Sequence, residues 1–176
     1  MKDASWNMLD ARKGEMTAEE AEAFADRLEK DAATALGRII FALGGLERDI
    51  GLCVVWAHGG RKIDQMTKKI ASASFDKKLE ILNDLVDAIF AKQSEQNIAY
   101  AAWIVQASAI RLIRNQLVHG RWWFDACQRQ IVHISYVPRA PDQYETRFSI
   151  AGFEEFLDLI KLRQSELNQL RKMYSL

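Results

Sequence analysis

A mainly α-helical bundle with one small β element near its end is the fold this sequence predicts. Three observations predict it. Only 9 Gly and 2 Pro occur among 176 residues, so the chain has few of the residues that break helices. Apolar side chains recur at three-and-four spacing over most of its length, the period of one helix face. After Gly120 that period gives way to aromatic and β-branched runs separated by turn residues, the pattern of short strands. At 20.1 kDa the chain is long enough to bury one domain's core. The expected architecture is an up-and-down bundle of four to five helices, with a β-hairpin or meander before the last.

The elements follow in order. Residues 1–16 read as a loose N-terminal arm or a short accessory helix, with Trp6 and Met8 as candidate docking points and without the apolar run of a signal peptide. Thr17-Ala18-Glu19-Glu20 is a capping box that opens a helix over 18–31. Leu36, Ile39, Ile40, Leu43, Leu46, Ile50, Cys53, Val54 and Ala57 trace the apolar stripe of a second helix, 33–57. His58-Gly59-Gly60 ends it, glycine supplying the left-handed backbone of a helix stop. Residues 61–74, with Arg61, Lys62, Lys68 and Lys69, read as a basic, solvated linker.

A third helix spans Phe75 to Lys92 with Leu79, Leu82, Val86, Ile89 and Phe90 inward. Ser94 caps a fourth, Glu95 to Val118, whose buried face is read as Ile98, Ala102, Val105, Ala109 and Leu112. Strands are expected at Trp122–Phe124, Gln130–Val137 and Tyr144–Phe148, with turns around Pro138 and Pro141. Ser149 opens the closing helix, which carries Phe153, Phe156, Leu157, Ile160, Leu167 and Leu170. Residues 17–176 thus make a single domain with a β insertion at about 121–149.

Charge narrows the function. Twenty-four basic side chains balance 24 acidic ones. A protein that coats nucleic acid by bulk attraction needs a basic surplus, so any nucleic-acid site here is local. Cys53 and Cys127 have no framework spacing and read as free thiols in a reducing cytosol. No apolar run reaches membrane-spanning length, no metal-ligand pattern appears, and no cofactor is expected. The expected location is the cytoplasm.

One segment concentrates chemistry: Arg114-Asn115-Gln116-Leu117-Val118-His119, where the fourth helix ends before Gly120. At about 100° per residue, Arg114, Asn115 and His119 fall at roughly 0°, 100° and 140° around the helix axis. Asn115 and His119 are an i,i+4 pair, and the long Arg114 side chain can swing toward them. An imidazole titrates near neutrality and serves as general acid or base. A guanidinium presents a fork to phosphate oxygens.

The string Ile113-Arg114-Asn115-Gln116-Leu117-Val118-His119-Gly120 resembles the Arg, four-to-six residues, His signature of the HEPN superfamily. Leu46-Glu47 on an upstream long helix and Ser74-Phe75-Asp76-Lys77-Lys78-Leu79 opening another fit the same family, a likeness covering about 33–172. The resemblance implies a homodimer whose two-fold brings two motifs into one cleft. It also implies a metal-independent endoribonuclease of the toxin or defence type. In that reading His119 is the acid/base, Arg114 clamps the scissile phosphate, and Asn115 orients one of them. Arg111, Arg121 and Trp122 are the candidate substrate contacts around this catalytic trio.

One position departs from the family pattern. Toxins of this type paired with nucleotidyltransferase antitoxins often carry a Tyr two residues after the motif His; here that residue is Arg121, followed by Trp122 and Trp123. A cognate antitoxin is an open expectation, and silencing through that Tyr is not implied. Simpler readings stand beside these. Cations near a helix C-terminus interact favourably with its dipole, which alone explains an Arg and a His there. Trp122 and Trp123 can stack bases or simply pack. Arg111 reads equally as site residue and surface charge, Glu47 as partner to the motif Arg or as surface residue. His58 and His133 read as structural. The competing function is a non-catalytic helical dimer that binds nucleotide, RNA or a partner protein.

Overall fold

A computed structural model describes residues 17–126, 128–134 and 145–176. The expected arm with Trp6 and Met8, Cys127, and the turns around Pro138 and Pro141 lie outside the described residues. Five helices and three strands follow in the order α1 (Ala18–Val55), α2 (Ile63–Ala71), α3 (Phe75–Ile89), α4 (Glu95–Val118), β1 (Arg121–Asp125), β2 (Gln130–Ile134), β3 (Glu145–Phe148) and α5 (Ile150–Met173). A mainly helical bundle with a small sheet before its last helix is the architecture observed.

The capping chemistry appears as the sequence implies. Thr17 accepts from the Glu20 amide at 3.2 Å while the Glu20 carboxylate accepts from the Thr17 amide at 2.8 Å. Ser94 and Ser149 cap α4 and α5 through the amides of Asn97 and Gly152, at 3.2 and 3.0 Å. His58, Gly59 and Gly60 take φ of 59°, 63° and 77°, and this left-handed run turns the chain after α1.

Five expectations about the helices are corrected. Residues 18–31 and 33–57 form one helix of 38 residues, because the junction Asp31-Ala32-Ala33-Thr34 contains no Gly or Pro to break it. The linker read at 61–74 contains α2, which buries Met66 and Ile70 and exposes its lysines. The third helix stops at Ile89, three residues short of Lys92, with Phe90 turning extended as its cap.

The fourth correction is the inward face of α4. Ile98, Val105 and Leu112 lie on the outside, Val105 at 71% exposure, with Ala102 and Ala109 exposed beside them. Tyr100, Trp103, Ile104, Ala107, Ile110 and Leu117 fill the core instead. Both faces of α4 are apolar, so periodicity alone could not choose between them. The larger aromatic side chains take the interior, where their polar ends also find partners. Tyr100 donates to the Tyr174 carbonyl at 3.0 Å and Trp103 to the Arg163 carbonyl at 2.9 Å. On α1, Ile40 is likewise exposed rather than buried.

Cross-contacts give the direction of each helix. Gly51 of α1 meets Ile70 near the end of α2, so α2 runs back along α1. Asp76 and Asp87 on α3 meet Arg111 and Asn97 on α4, an antiparallel pair. Arg38 and Asp49 on α1 meet Glu154 and Gln164 on α5, a parallel pair. The chain therefore alternates direction through all five helices. At 1.5 Å per residue α1 is about 57 Å long, whereas α4 and α5, at 24 residues each, are about 36 Å. The excess of α1 projects past the start of α5.

The antiparallel sheet, ordered β1-β2-β3, packs on this projection, and Arg129 lies 5.5 Å over the Phe24 ring. Cys53 is free and buried in the core, and burial pushes its thiol up to about 12, so it behaves as a small apolar side chain. No helix among the described residues is long and apolar enough to cross a membrane.

Glycines in α1 differ in their surroundings. A Cβ at Gly51 would meet Ile70 at 3.2 Å, whereas one at Gly44 would meet nothing within 4 Å. Gly44 thus carries the entropic cost of a helix-interior glycine with no contact to offset it. Gly44→Ala is expected to stabilise the fold by about 0.5–1 kcal/mol, read as a raised urea midpoint. An unchanged or lowered midpoint would mean that this face of α1 is already occupied.

Candidate functional site

The last turns of α4 stand beside the start of α3 and the Leu43 to Glu47 stretch of α1, and lead directly into β1. Leu117 is buried and anchors the final turn, while Arg114, Asn115 and His119 are exposed. The Arg114 guanidinium donates to the Asn115 side-chain oxygen at 3.2 Å. His119 has left the helix: it is the C-cap residue, with φ −116° and ψ 133°. The face angles expected of an unbroken helix therefore apply to Arg114 and Asn115 but not to His119. Among the described residues, no hydrogen bond joins the His119 ring to either of them.

Arg114 lines a small cleft with Leu43, Glu47, Phe75 and Arg111. The cations around it are unequally committed. Arg111 is ion-paired to Asp76 across the α3–α4 contact, its Nε buried without a partner. Lys78 reaches from α3 to the Glu47 carboxylate at 2.6 Å. Arg114 forms no ion pair among the described residues, its hydrogen bond being to a neutral amide. Glu47 shares the cleft with the motif Arg, yet its carboxylate is taken by Lys78. These two cross-helix pairs tie α1, α3 and α4 together beneath Arg114.

Beyond the helix the chain is held from the sheet. His133 on β2 is 1% exposed, and its Nε2 donates to the His119 carbonyl oxygen. A carbonyl only accepts, so in the neutral ring the proton sits on Nε2. Gly120, between them, has φ 122°, and a Cβ there would come within 2.4 Å of His133 Nε2 and 2.6 Å of the Ile134 carbonyl. Only glycine permits this approach. Trp122 pairs with His133 across β1 and β2, its ring 4.7 Å from the imidazole and about 6 Å from those of Phe148 and Phe153.

The six sequence-chosen residues are thus only partly convergent. Arg114 and Asn115 touch, and Arg111 shares the cleft with Arg114 while bound to Asp76. His119 follows one turn on, and Arg121 is exposed at the start of β1. Trp122 is half-buried and forms the wall behind His133. Lys78, Asp76 and His133 were not singled out as site residues. For His133 the only sequence signal was its place in the β-branched run that begins at Gln130, and its link to His119 depends on strand register.

Another cleft, of about 230 Å³, lies elsewhere, between α4 and α5, lined by Ala102, Trp103, Gln106, Leu170 and Met173 among others. No group of three or more His, Cys, Asp or Glu among the described residues is placed to hold a metal ion. A scan against protein-family models and searches of curated proteins and of solved structures return no match.

Proposed function

We propose that the chain is a HEPN-type endoribonuclease, of the toxin or defence kind, working in the cytoplasm as a homodimer. The observation that carries this reading is the pairing of Arg114 with a neutral amide while Arg111 and Lys78, nearby, are neutralised by carboxylates. A guanidinium in that state keeps its charge available for an anion, and His119 exposes an imidazole one turn away. In the reaction, the ribose 2′-hydroxyl loses its proton to the imidazole and attacks phosphorus. The P–O5′ bond breaks, and the departing oxygen takes a proton. Arg114 holds the phosphate as charge builds on it, and Asn115 fixes the guanidinium.

The test is incubation of purified protein with labelled single-stranded RNA in the presence of EDTA. Fragments ending in 2′,3′-cyclic phosphate and 5′-hydroxyl are expected. Intact RNA over a folded protein that still binds nucleotide would favour the non-catalytic alternative.

Self-association has its own support. From Gln96 to Ile110, α4 carries no charged residue. Its outward face shows Ile98, Val105 and Leu112 at seven-residue spacing between alanines. A helix apolar on every side is characteristic of a buried one. A second copy offers a matching uncharged face across a two-fold axis. Leu112 also leads, at i+3 and i+4, to Asn115 and Gln116, so a partner on this face reaches the motif. Val105→Asp is expected to shift the protein from dimer to monomer in sedimentation while leaving its helical content unchanged. A wild type that sediments as a monomer would remove the shared-cleft reading.

A further inference from the structure

We propose that His133 is a positioning residue for His119, and that the sheet serves to aim the motif imidazole. The inference rests on the ribonuclease reading for its kinetic consequence, but not for its geometry. His119 is the first residue outside α4, where the helical ladder no longer fixes the backbone. Its carbonyl is held instead by a side chain from β2, 14 residues later.

The surroundings of His133 define its orientation. Trp122 covers the ring at 4.7 Å, Trp122 itself packs on Phe148 and Phe153, and Gly120 gives up its side chain to let Nε2 approach. His133 is also the one buried polar or charged side chain among the described residues. A buried imidazole that only filled space would be replaced without loss by an apolar group. This one donates to the backbone of the residue assigned the chemistry. A shift of about 1 Å in a reacting group can cost on the order of 100-fold in rate, so fixing this peptide has kinetic weight.

The protein has three histidines, which makes nitrogen-15 NMR of the imidazoles interpretable. In the wild type, His133 is expected as the Nε2–H tautomer with a slowly exchanging ring proton. The Nδ1–H form, or a rapidly exchanging proton, overturns the proposal whether or not the protein cleaves RNA. His133→Leu should move the His119 ring resonances, and His133→Gln, whose amide can donate from nearly the same place, should return them.

On RNA, His133→Leu should lower kcat roughly 10- to 100-fold with KM little changed, and Gln should recover most of it. A Leu variant that folds and leaves both the His119 resonances and kcat unchanged refutes the positioning role. If the Leu variant does not fold, the wild-type tautomer and the Gln variant decide. If the wild type cleaves nothing, the ribonuclease reading fails alone and the spectra still judge His133.

Discussion

Replacing His119 by alanine is expected to leave a folded protein whose RNA cleavage is about 10²- to 10⁴-fold slower, the usual contribution of a positioned acid or base. The substitution is clean because of where the residue sits. Its ring is exposed and makes no hydrogen bond among the described residues, so its loss should change stability by less than about 0.5 kcal/mol. The carbonyl that His133 holds belongs to the backbone and remains. Single-turnover rates and a urea titration on the same preparation separate the two effects. The companion Arg114→Lys keeps the charge but loses the planar fork, and should fall between wild type and Arg114→Ala. A His119→Ala protein that cleaves at the wild-type rate would end the assignment.

The second large effect is one of stability. Gly120→Ala should cost about 2–5 kcal/mol, because backbone strain and overpacking act at the same atom. The φ of 122° is unfavourable for any side chain, and the new methyl would sit within 2.4 Å of His133 Nε2 and 2.6 Å of the Ile134 carbonyl. Relief requires the β1–β2 pair to move away, which breaks the His133 hydrogen bond and leaves a buried donor unsatisfied. Gly44→Ala, on an open helix face, should move stability the other way. Opposite signs for one chemical change make the pair a sharp urea-denaturation test. A loss under about 1 kcal/mol at Gly120 would show that the chain end of α4 relaxes freely.

Much of this fold was legible because its signals are local. The capping box at Thr17, the serine caps, the stop at His58-Gly59-Gly60 and the buried stripe of α5 each depend on residues a few positions apart. The inward face of α4 was not legible. With neither a polar side nor a charge between Gln96 and Ile110, the choice between Val105 and Trp103 is made by tertiary packing. The same holds for α2, whose lysines suggested a solvated linker until Met66 and Ile70 found α1 to pack against. In the site, the string Arg114 to His119 could be read directly. Its supports could not: Asp76 and Lys78 arrive from α3, and His133 arrives through strand register.

The overhang of α1 divides the molecule into parts of unequal strength. Arg114 and Asn115 ride on a bundle whose opening requires breaching a large apolar core. The peptide of His119 is pinned by strands of four and five residues that rest on the projecting part of α1 and on Phe153 of α5. Native proteins open in cooperative units, and small units open at lower free energy than the whole. The chain can therefore lose its grip on one half of the motif while the other half stays in place. The complete constellation therefore needs the sheet docked through Ile131 as well as the helices packed.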